Sequence, residues 1–177
     1  KMGLLDSLFG GNKKQRLLDW QRIVMENSPD HLVMSEQQLR QASIQQAQND
    51  LRIIGDCTRI VETTTKPDVF FSRLRMLMER SGHLCNLEPY MNFTGASPTA
   101  AYNEACRNYQ QAIYNFLVRY YSETFDKAEM MKTERGKLGK YRAFYDSLQQ
   151  YYHLMNEENK NYIECKFSIS LQYLADE

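Results

Sequence analysis

The chain has few of the residues on which disulfide and metal assignments usually depend. Its 177 residues include three histidines and four cysteines, and no two cysteines form a Cys-x-x-Cys pair. A disulfide framework or a zinc module needs a denser and more regular cysteine pattern. We therefore expect no cofactor and no metal, and we expect free thiols in a reducing compartment. The four cysteines are Cys57, Cys85, Cys106 and Cys165.

Long apolar runs and an excess of charge of one sign are also missing. No apolar run approaches the roughly 18 residues that a membrane-spanning helix needs. The 22 basic and 22 acidic residues give a formal net charge of zero. No overall field then favours nucleic acid or an anionic membrane, so either contact would need a local patch. The composition predicts a cytoplasmic protein.

Sequence motifs of common enzymes are missing as well. The chain has no Glu-x-x-His pair of a di-iron bundle, no His-Glu-x-x-His, no Gly-x-Ser-x-Gly and no Walker-type loop. Glu79 and His83 lie one helical turn apart and Cys85 follows closely, but a solvated or capping histidine beside Gly82 is the simpler interpretation. The sequence therefore predicts a protein that is not an enzyme.

Helical periodicity is what the chain does contain. No Gly or Pro occurs between Ala101 and Lys132, and the apolar residues there recur at spacings of four and three. They are Tyr102, Cys106, Tyr109, Ile113, Phe116 and Tyr120. This spacing places all six on one face of a helix that must be buried. It predicts an all-α antiparallel bundle of four or more helices, with one very long helix over about 97–134 and a turn at Gly136 and Gly139.

Capping and helix-breaking residues predict the other helices. We expect one over 13–27, a second from about Ser35 to the Thr63–Thr65 run, and a third from Pro67 to about Leu87. Two more are expected, over 141–155 and from Asn156 onward, although Ser168–Leu171 could instead be extended. The inner face of the second helix is predicted to carry Ala47, Leu51, Ile54, Thr58 and Val61.

Residues 1–12 are predicted to form a flexible N-terminal arm, separate from a single helical bundle domain over 13–177. Gly10-Gly11-Asn12 predicts a joint, and Lys13, Lys14 and Arg16 follow it. Apolar residues before basic ones are typical of membrane-surface anchors and of partner-docking helices. The arm could pack on its own bundle, on a neighbouring copy or on a membrane. Its candidate docking residues are Leu4, Leu5, Leu8 and Phe9.

Two further features of the sequence suggest contacts. Eleven of the twelve tyrosines lie between Tyr102 and Tyr173, among basic residues that could contact nucleic acid. Because several of these tyrosines fall on predicted buried faces, packing is the favoured interpretation and nucleic acid is an unlikely partner. Asp56 and Arg73 flank the turn at 63–67, and antiparallel packing would bring them together as an ion pair.

Two segments resemble uncharacterised all-helical proteins of Gram-positive bacteria and their mobile elements. They are 56–73, with the sequence DCTRIVETTTKPDVFFSR, and 156–163, with the sequence NEENKNYI. The resemblance covers about 45–167 and implies a helical fold, but it brings no activity, cofactor or site residue. Some members carry a metal-binding module before the helical part. This chain has no cysteines there, so the resemblance implies no metal.

These observations predict a non-enzymatic helical interaction or scaffold module that acts through helix faces and the N-terminal arm. Its expected partner is a protein, or a second copy of itself. A peripheral membrane protein anchored by residues 2–9 is the first alternative. A nucleic-acid-binding accessory protein is the second.

Overall fold

The computed structural model describes residues 36–176, with the exception of 92, 94 and 96. Over these residues the protein is all-α, as predicted, and no strand is present. Two short 3₁₀ turns, Glu88–Tyr90 and Tyr152–Leu154, accompany the helices. The helices are α1 (Glu36–Thr63), α2 (Pro67–Leu87), α3 (Pro98–Arg107), α4 (Tyr109–Glu129), α5 (Glu134–Gln149) and α6 (Glu157–Asp176).

The connection between α1 and α2 has the predicted position. The hydroxyl of Thr63 donates to the carbonyl of Arg59 at 2.8 Å, and the N–H of Lys66 donates to the Thr64 hydroxyl at 3.2 Å. These bonds satisfy backbone groups where α1 ends. Pro67, which has no N–H to lose, begins α2. Both predicted boundaries, the end of α1 and the start of α2, are therefore confirmed.

The single long helix predicted over about 97–134 is wrong, because Asn108 interrupts it. Asn108 has φ −90° and ψ 2°, outside the helical range, and its carbonyl accepts the first hydrogen bond of α4 from Ala112 at 2.9 Å. Asparagine is a weak helix former. The residues before and after Asn108 also belong to different compact units of the chain. Tyr102 lies beside Gly82 in one unit, whereas Ile113 is buried in the other. A continuous buried face is therefore not required.

The turn predicted at Gly136 and Gly139 is also wrong, because both glycines lie inside α5. The chain turns earlier, over 130–133. Thr133 has extended backbone angles, and its hydroxyl accepts the N–H of Gly136 at 3.1 Å. This is an ordinary threonine N-cap, and it starts α5 seven residues before the predicted Tyr141.

Asn156 caps α6 as predicted. Its side-chain oxygen accepts the N–H of Asn159 at 2.9 Å. The side-chain amide of Gln110, on α4, also bonds to this segment. Its oxygen accepts from the N–H of Asn156 and from the Asn159 amide, both at 2.9 Å. Its nitrogen donates to the Leu154 carbonyl at 3.0 Å. The helix continues to Asp176, so the extended alternative at Ser168–Leu171 is wrong.

The described chain divides into two compact units. Unit 1 comprises 36–56 and 77–104, and unit 2 comprises 57–76 and 105–176. Residues 1–35 lie outside the described residues, and with them lie the predicted arm and the predicted helix over 13–27. The predicted division into an arm and one domain over 13–177 therefore stays a prediction.

In unit 1 the contacts between α1 and α2 run antiparallel. Ala47 packs with Leu84 and Leu87, whereas Asp50, further along α1, meets Arg80, which is earlier in α2. The predicted inner face of α1 is partly wrong, because Leu51 is exposed. The buried positions of α1 keep the four–three spacing but are Ser43, Ala47, Asp50, Cys57 and Val61, with Ile54 half-buried.

A carboxylate fixes the start of α3 in unit 1. Glu88 accepts the Ser97 hydroxyl at 2.6 Å and the backbone N–H of Thr99 at 2.7 Å. The Ser97 oxygen in turn accepts the N–H of Ala100 at 3.2 Å. These hydrogen bonds lower the pKa of the Glu88 carboxyl, the contribution of the Ser97 hydroxyl being the largest.

We expect Glu88→Gln to lower the unfolding midpoint at neutral pH and to have a smaller effect at pH 3. A carboxyl whose pKa is lowered by folding stabilises the protein above its ordinary pKa of about 4.5 and loses that effect as the pH falls. Urea unfolding at both pH values measures the difference. Glu104→Gln, on the exposed surface of α3, is the control. Equal effects of the two variants at neutral pH would contradict the capping role.

Unit 2 contains three mutually packed helices, α4, α5 and α6. The Tyr120 hydroxyl lies 3.0 Å from that of Ser147, and the Tyr121 ring packs near Tyr141, so α4 and α5 run antiparallel. The connection between α4 and α5 has only four residues, and such a short connection also favours antiparallel packing.

The helices α5 and α6 are also antiparallel. The Tyr145 ring stacks on Phe167 with centroids 4.4 Å apart, whereas Lys137, earlier in α5, reaches Tyr173, later in α6. These three helices thus form an up-down-up arrangement in which α4 and α6 are parallel.

Aromatic side chains fill the interior of unit 2. Phe116 is fully buried and stacks on Phe70 with centroids 4.2 Å apart, and Phe71 contacts it edge-on at 5.9 Å. Phe71 also stacks on Tyr151 at 4.1 Å. The start of α2 is therefore part of the same core as α4 and the turn that follows α5.

An arginine from α4 caps the C-terminal end of α1. Arg119 donates from Nη2 to the carbonyl of Val61 at 2.7 Å and to that of Thr64 at 3.5 Å. The last carbonyls of a helix have no partner within it and carry partial negative charge, which a guanidinium satisfies. Burial lowers the pKa of Arg119, and the nearby Glu62 carboxylate opposes this effect.

Candidate functional site

Large apolar side chains are exposed on two neighbouring helices of unit 2. On α4, Val118 is 39% and Phe125 is 41% exposed; on α6, Ile169 is 49% and Tyr173 is 45% exposed. Single apolar residues on a surface are ordinary, but a contiguous group marks an interaction site. The register of the two helices decides which of these two cases applies.

The register places Phe125 level with Tyr173, and it places Val118 and Ile169 level with half-buried residues of the other helix. The Tyr114 ring contacts the Tyr162 ring at 5.3 Å, and the Tyr121 hydroxyl lies 2.9 Å from the Ser170 hydroxyl. Residues of α4 therefore meet residues of α6 that are 48 or 49 positions later. This register generates four level pairs, here called the ladder face: Tyr114 with Tyr162, Val118 with Lys166, Tyr121 with Ile169, and Phe125 with Tyr173.

The ladder face has the same spacing on both helices. Its residues recur at intervals of four, three and four on α4 and again on α6. This is the spacing by which one side of a helix contacts another helix. On α4 its members are half-buried (Tyr114, Tyr121) or exposed (Val118, Phe125), and it lies beside the buried stripe of Ile113, Leu117 and Phe116. The two parallel helices thus present paired rows of side chains to which a further helix could dock.

A single lysine provides the charge within the ladder face. The Lys166 ammonium lies over the rings of Tyr121 and Tyr162, at 5.3 and 5.6 Å from their centroids. Burial raises the pKa of Tyr162 to about 12, with smaller contributions from Tyr114 and Tyr121, so its hydroxyl stays neutral. The surface is therefore aromatic and weakly cationic at neutral pH.

A second polar cluster lies in unit 1 around Asp50, which is fully buried. Its Oδ1 accepts from Arg80 Nη1 at 3.1 Å and from Gln46 Nε2 at 3.0 Å. Its Oδ2 has no hydrogen bond, and neither has Nδ1 of His83, which lies 3.9 Å away. Burial raises the pKa of Asp50, while Arg80 and then His83 oppose the increase.

The Asp50 cluster has the character of a structural ion pair. A buried carboxylate needs a cation and hydrogen bonds, and Arg80 and Gln46 supply them across the α1–α2 contact. Sequence reasoning missed Asp50. Its position three residues after Ala47 and four before Ile54, on the four–three spacing of the inner face, was the available signal.

The structure tests neither of the predicted sets of site residues. Leu4, Leu5, Leu8 and Phe9 lie outside the described residues. The ion pair between Asp56 and Arg73 stays a prediction: Asp56 belongs to unit 1 and Arg73 to unit 2, where its guanidinium lies 3.9 Å from the Met76 sulfur.

No group of three or more His, Cys, Asp or Glu residues among those described is placed to hold a metal ion. All four cysteines are free thiols, with Cys57 buried and with Cys106 and Cys165 exposed. None of the helices in the described part of the chain has both the length and the apolar character needed to cross a membrane.

Comparisons with known proteins add no identification. No family model, no curated protein and no solved structure matches the chain. The predicted resemblance to helical proteins of Gram-positive bacteria stays a prediction.

Proposed function

We propose that the protein is a non-enzymatic helical interaction module whose ladder face binds a helical surface of a protein. One observation carries this proposal: the ladder-face residues of α4 and α6 have matching spacing and lie at matching levels, and four of the eight, Val118, Phe125, Ile169 and Tyr173, are exposed. Helix-binding grooves are recognised by such rows of anchors at three- and four-residue intervals.

The dimensions suit a helix of moderate length. The face covers 11 residue steps along each helix, or about 16 Å at 1.5 Å per residue. A bound helix would contact it over about three turns. Burying one large apolar side chain contributes about 1.5–3 kcal/mol before the entropy of association is subtracted. A few such anchors support reversible binding.

Lys166 favours a bound surface that offers an aromatic ring or a carboxylate. Its ammonium already lies over two tyrosine rings, so it is held at the centre of the face. Nucleic acid is less well supported as a ligand, because Tyr114, Tyr121 and Tyr162 pack on one another or on Lys166 and do not present free stacking faces.

Site-specific photocrosslinking in the native cell tests this proposal. A photoreactive amino acid replaces Ile169 in one variant of the full chain and Leu171 in the other. Leu171 is 38% exposed on the same helix, but two residues of helix turn it by about 200°, toward the α5 side. We expect protein adducts from position 169 and few from position 171. The crosslinked peptide should carry apolar residues at three- and four-residue spacing.

Two results would overturn the proposal. One is the absence of protein adducts from position 169 when the variant is folded by circular dichroism. The other is an equal yield from position 171, which would indicate nonspecific contact. Adducts to nucleic acid alone would replace this proposal with the nucleic-acid alternative.

A further inference from the structure

We infer that Asp50 and His83 form a pH-sensitive pair, in which one proton taken up between the two side chains tightens the contact of α1 with α2 at mildly acidic pH. Both residues belong to unit 1, so this pair is separate from the ladder face of unit 2. The inference is carried by two buried polar atoms that face each other without a hydrogen bond.

The two facing atoms are Oδ2 of Asp50 and Nδ1 of His83, which lie 3.9 Å apart. Both atoms are buried, and neither has a hydrogen-bond partner in the described part of the chain. Buried polar atoms without a partner are rare because each one loses its hydrogen bonds to water. The separation is about 1 Å longer than a hydrogen bond, so a small rotation of the imidazole closes it.

A single proton satisfies both atoms. On Nδ1 it gives an imidazolium, whose N–H donates to the Asp50 carboxylate. On Oδ2 it gives a carboxylic acid, whose O–H donates to the neutral imidazole of His83. Either position forms the same bridge between α1 and α2. The two side chains therefore titrate as one unit that holds its proton more tightly in the folded chain than the separate groups do after unfolding.

The rest of the cluster leaves only this side of the carboxylate free to respond. Oδ1 of Asp50 already accepts from Arg80 at 3.1 Å and from Gln46 at 3.0 Å. Among the described residues, Arg80 and His83 are the charged groups that act on Asp50, and burial raises its pKa against their influence. The side chains of Arg80 and His83 are 26% and 38% exposed. Water therefore screens the two cations from each other and supplies the proton.

The neighbouring titratable groups do not replace this bridge. Glu79 lies one turn before His83 on α2 and is exposed, so its carboxylate is solvated. From α3, Tyr102 lies beside Gly82, and a phenol stays neutral in the range where histidine titrates. The pH response of the α1–α2 contact is thus expected to come from Asp50 and His83.

The stabilisation is expected at low pH. A group that binds its proton more tightly when folded stabilises the chain below its unfolded pKa, and this effect is lost as the pH rises through the folded value. In an unfolded chain, histidine and aspartate titrate near about 6.5 and 3.9. At pH 5.5 the pair therefore holds one proton and the bridge is formed. At pH 8 the proton is released and the gap reopens.

Hydrogen–deuterium exchange of the full chain at pH 5.5 and pH 8 tests the inference. Exchange of the backbone amides over 47–54 of α1, corrected for the intrinsic effect of pH, measures how often this contact opens. We expect protection about fivefold higher at pH 5.5, or about 1 kcal/mol at about 1.4 kcal/mol per tenfold change, the usual size of one net hydrogen bond. The amides over 113–117 of α4, in unit 2, are the internal reference.

Three variants separate the pair from a general effect of pH. His83→Phe keeps a ring but removes both nitrogens, so the change over 47–54 should fall below twofold. His153→Phe makes the same replacement at an exposed position of unit 2 and should keep the fivefold change. Asp50→Asn has the shape of the protonated side chain, and its amide donates to Nδ1 at either pH. Its protection should therefore be the same at both pH values.

Each other outcome overturns the inference. Protection over 47–54 that is the same at both pH values in the parent chain shows that there is no such pair. A fivefold change that persists in His83→Phe or in Asp50→Asn, or one that disappears in His153→Phe, places the titrating group elsewhere. An equal change over 113–117 shows a response of the whole chain. If circular dichroism shows that Asp50→Asn is unfolded, the contrast between the two histidine variants decides the inference.

Discussion

Phe116→Ala should lower the free energy of unfolding by about 3–5 kcal/mol, the usual cost of deleting a buried phenylalanine. The ring is fully buried between Phe70 and Phe71, and Tyr120 stacks beside it at 5.7 Å. Its removal leaves a cavity among three aromatic rings that come from two helices. Such rings cannot collapse into the space without leaving their own packing.

Phe125→Ala is the matched control for this experiment. It removes the same ring from the same helix at an exposed position, so the expected loss is below about 1 kcal/mol. Urea unfolding followed by circular dichroism measures both variants. A loss at Phe116 no larger than that at Phe125 would show that the aromatic cluster is not the core of unit 2.

Arg80→Met should lower the free energy of unfolding by about 2–3 kcal/mol at neutral pH. Removing one partner of a buried pair leaves the other charge uncompensated, which costs about 3–5 kcal/mol when both groups are fully buried. Arg80 is 26% exposed and His83 remains nearby, so the effect should be smaller. Arg52→Met is the control, because Arg52 is exposed and bonds only to Asn49 among the contacts described.

The effect of Arg80→Met should shrink as the pH falls. Burial already raises the pKa of Asp50, and the loss of Arg80 removes the largest opposing influence. A carboxyl whose pKa is higher in the folded chain destabilises it when ionised, so stability is retained at low pH and lost as the pH rises through that pKa. Unfolding measured from pH 4 to pH 7 tests this. A constant difference between variant and parent would contradict the buried ion pair.

The helix boundaries that could be predicted are those set by neighbours in the sequence. The threonine run with Pro67 ended α1 and began α2, and Asn156 capped α6. In each case a side chain or ring acts on backbone groups within a few residues, so the local sequence contains the cause. Thr133 is a helix cap of the same local kind, but the sequence prediction placed the turn at Gly136 and Gly139 instead. A helix tolerates these glycines at modest cost.

The features that could not be predicted depend on contacts between distant segments. On α1, Leu51 and Asp50 both fit a four–three spacing, and in the fold Asp50 is the buried one, where it meets Arg80 of α2. Asn108 interrupts a helix that its own neighbours would continue. The ladder face depends on the register of α6 against α4, and no pattern within one helix specifies that register.

The arrangement of the two units along the chain has a consequence for fragments. Both α1 and α2 pass from one unit to the other, so each unit is encoded by two separate stretches of sequence. No single cut releases an intact unit. A piece starting at residue 105 would keep the helices of the ladder face but lose Phe70 and Phe71, leaving Phe116 uncovered. Proteases that nick the chain should therefore yield unstable pieces, and mutants for functional work need to be made in the uninterrupted polypeptide.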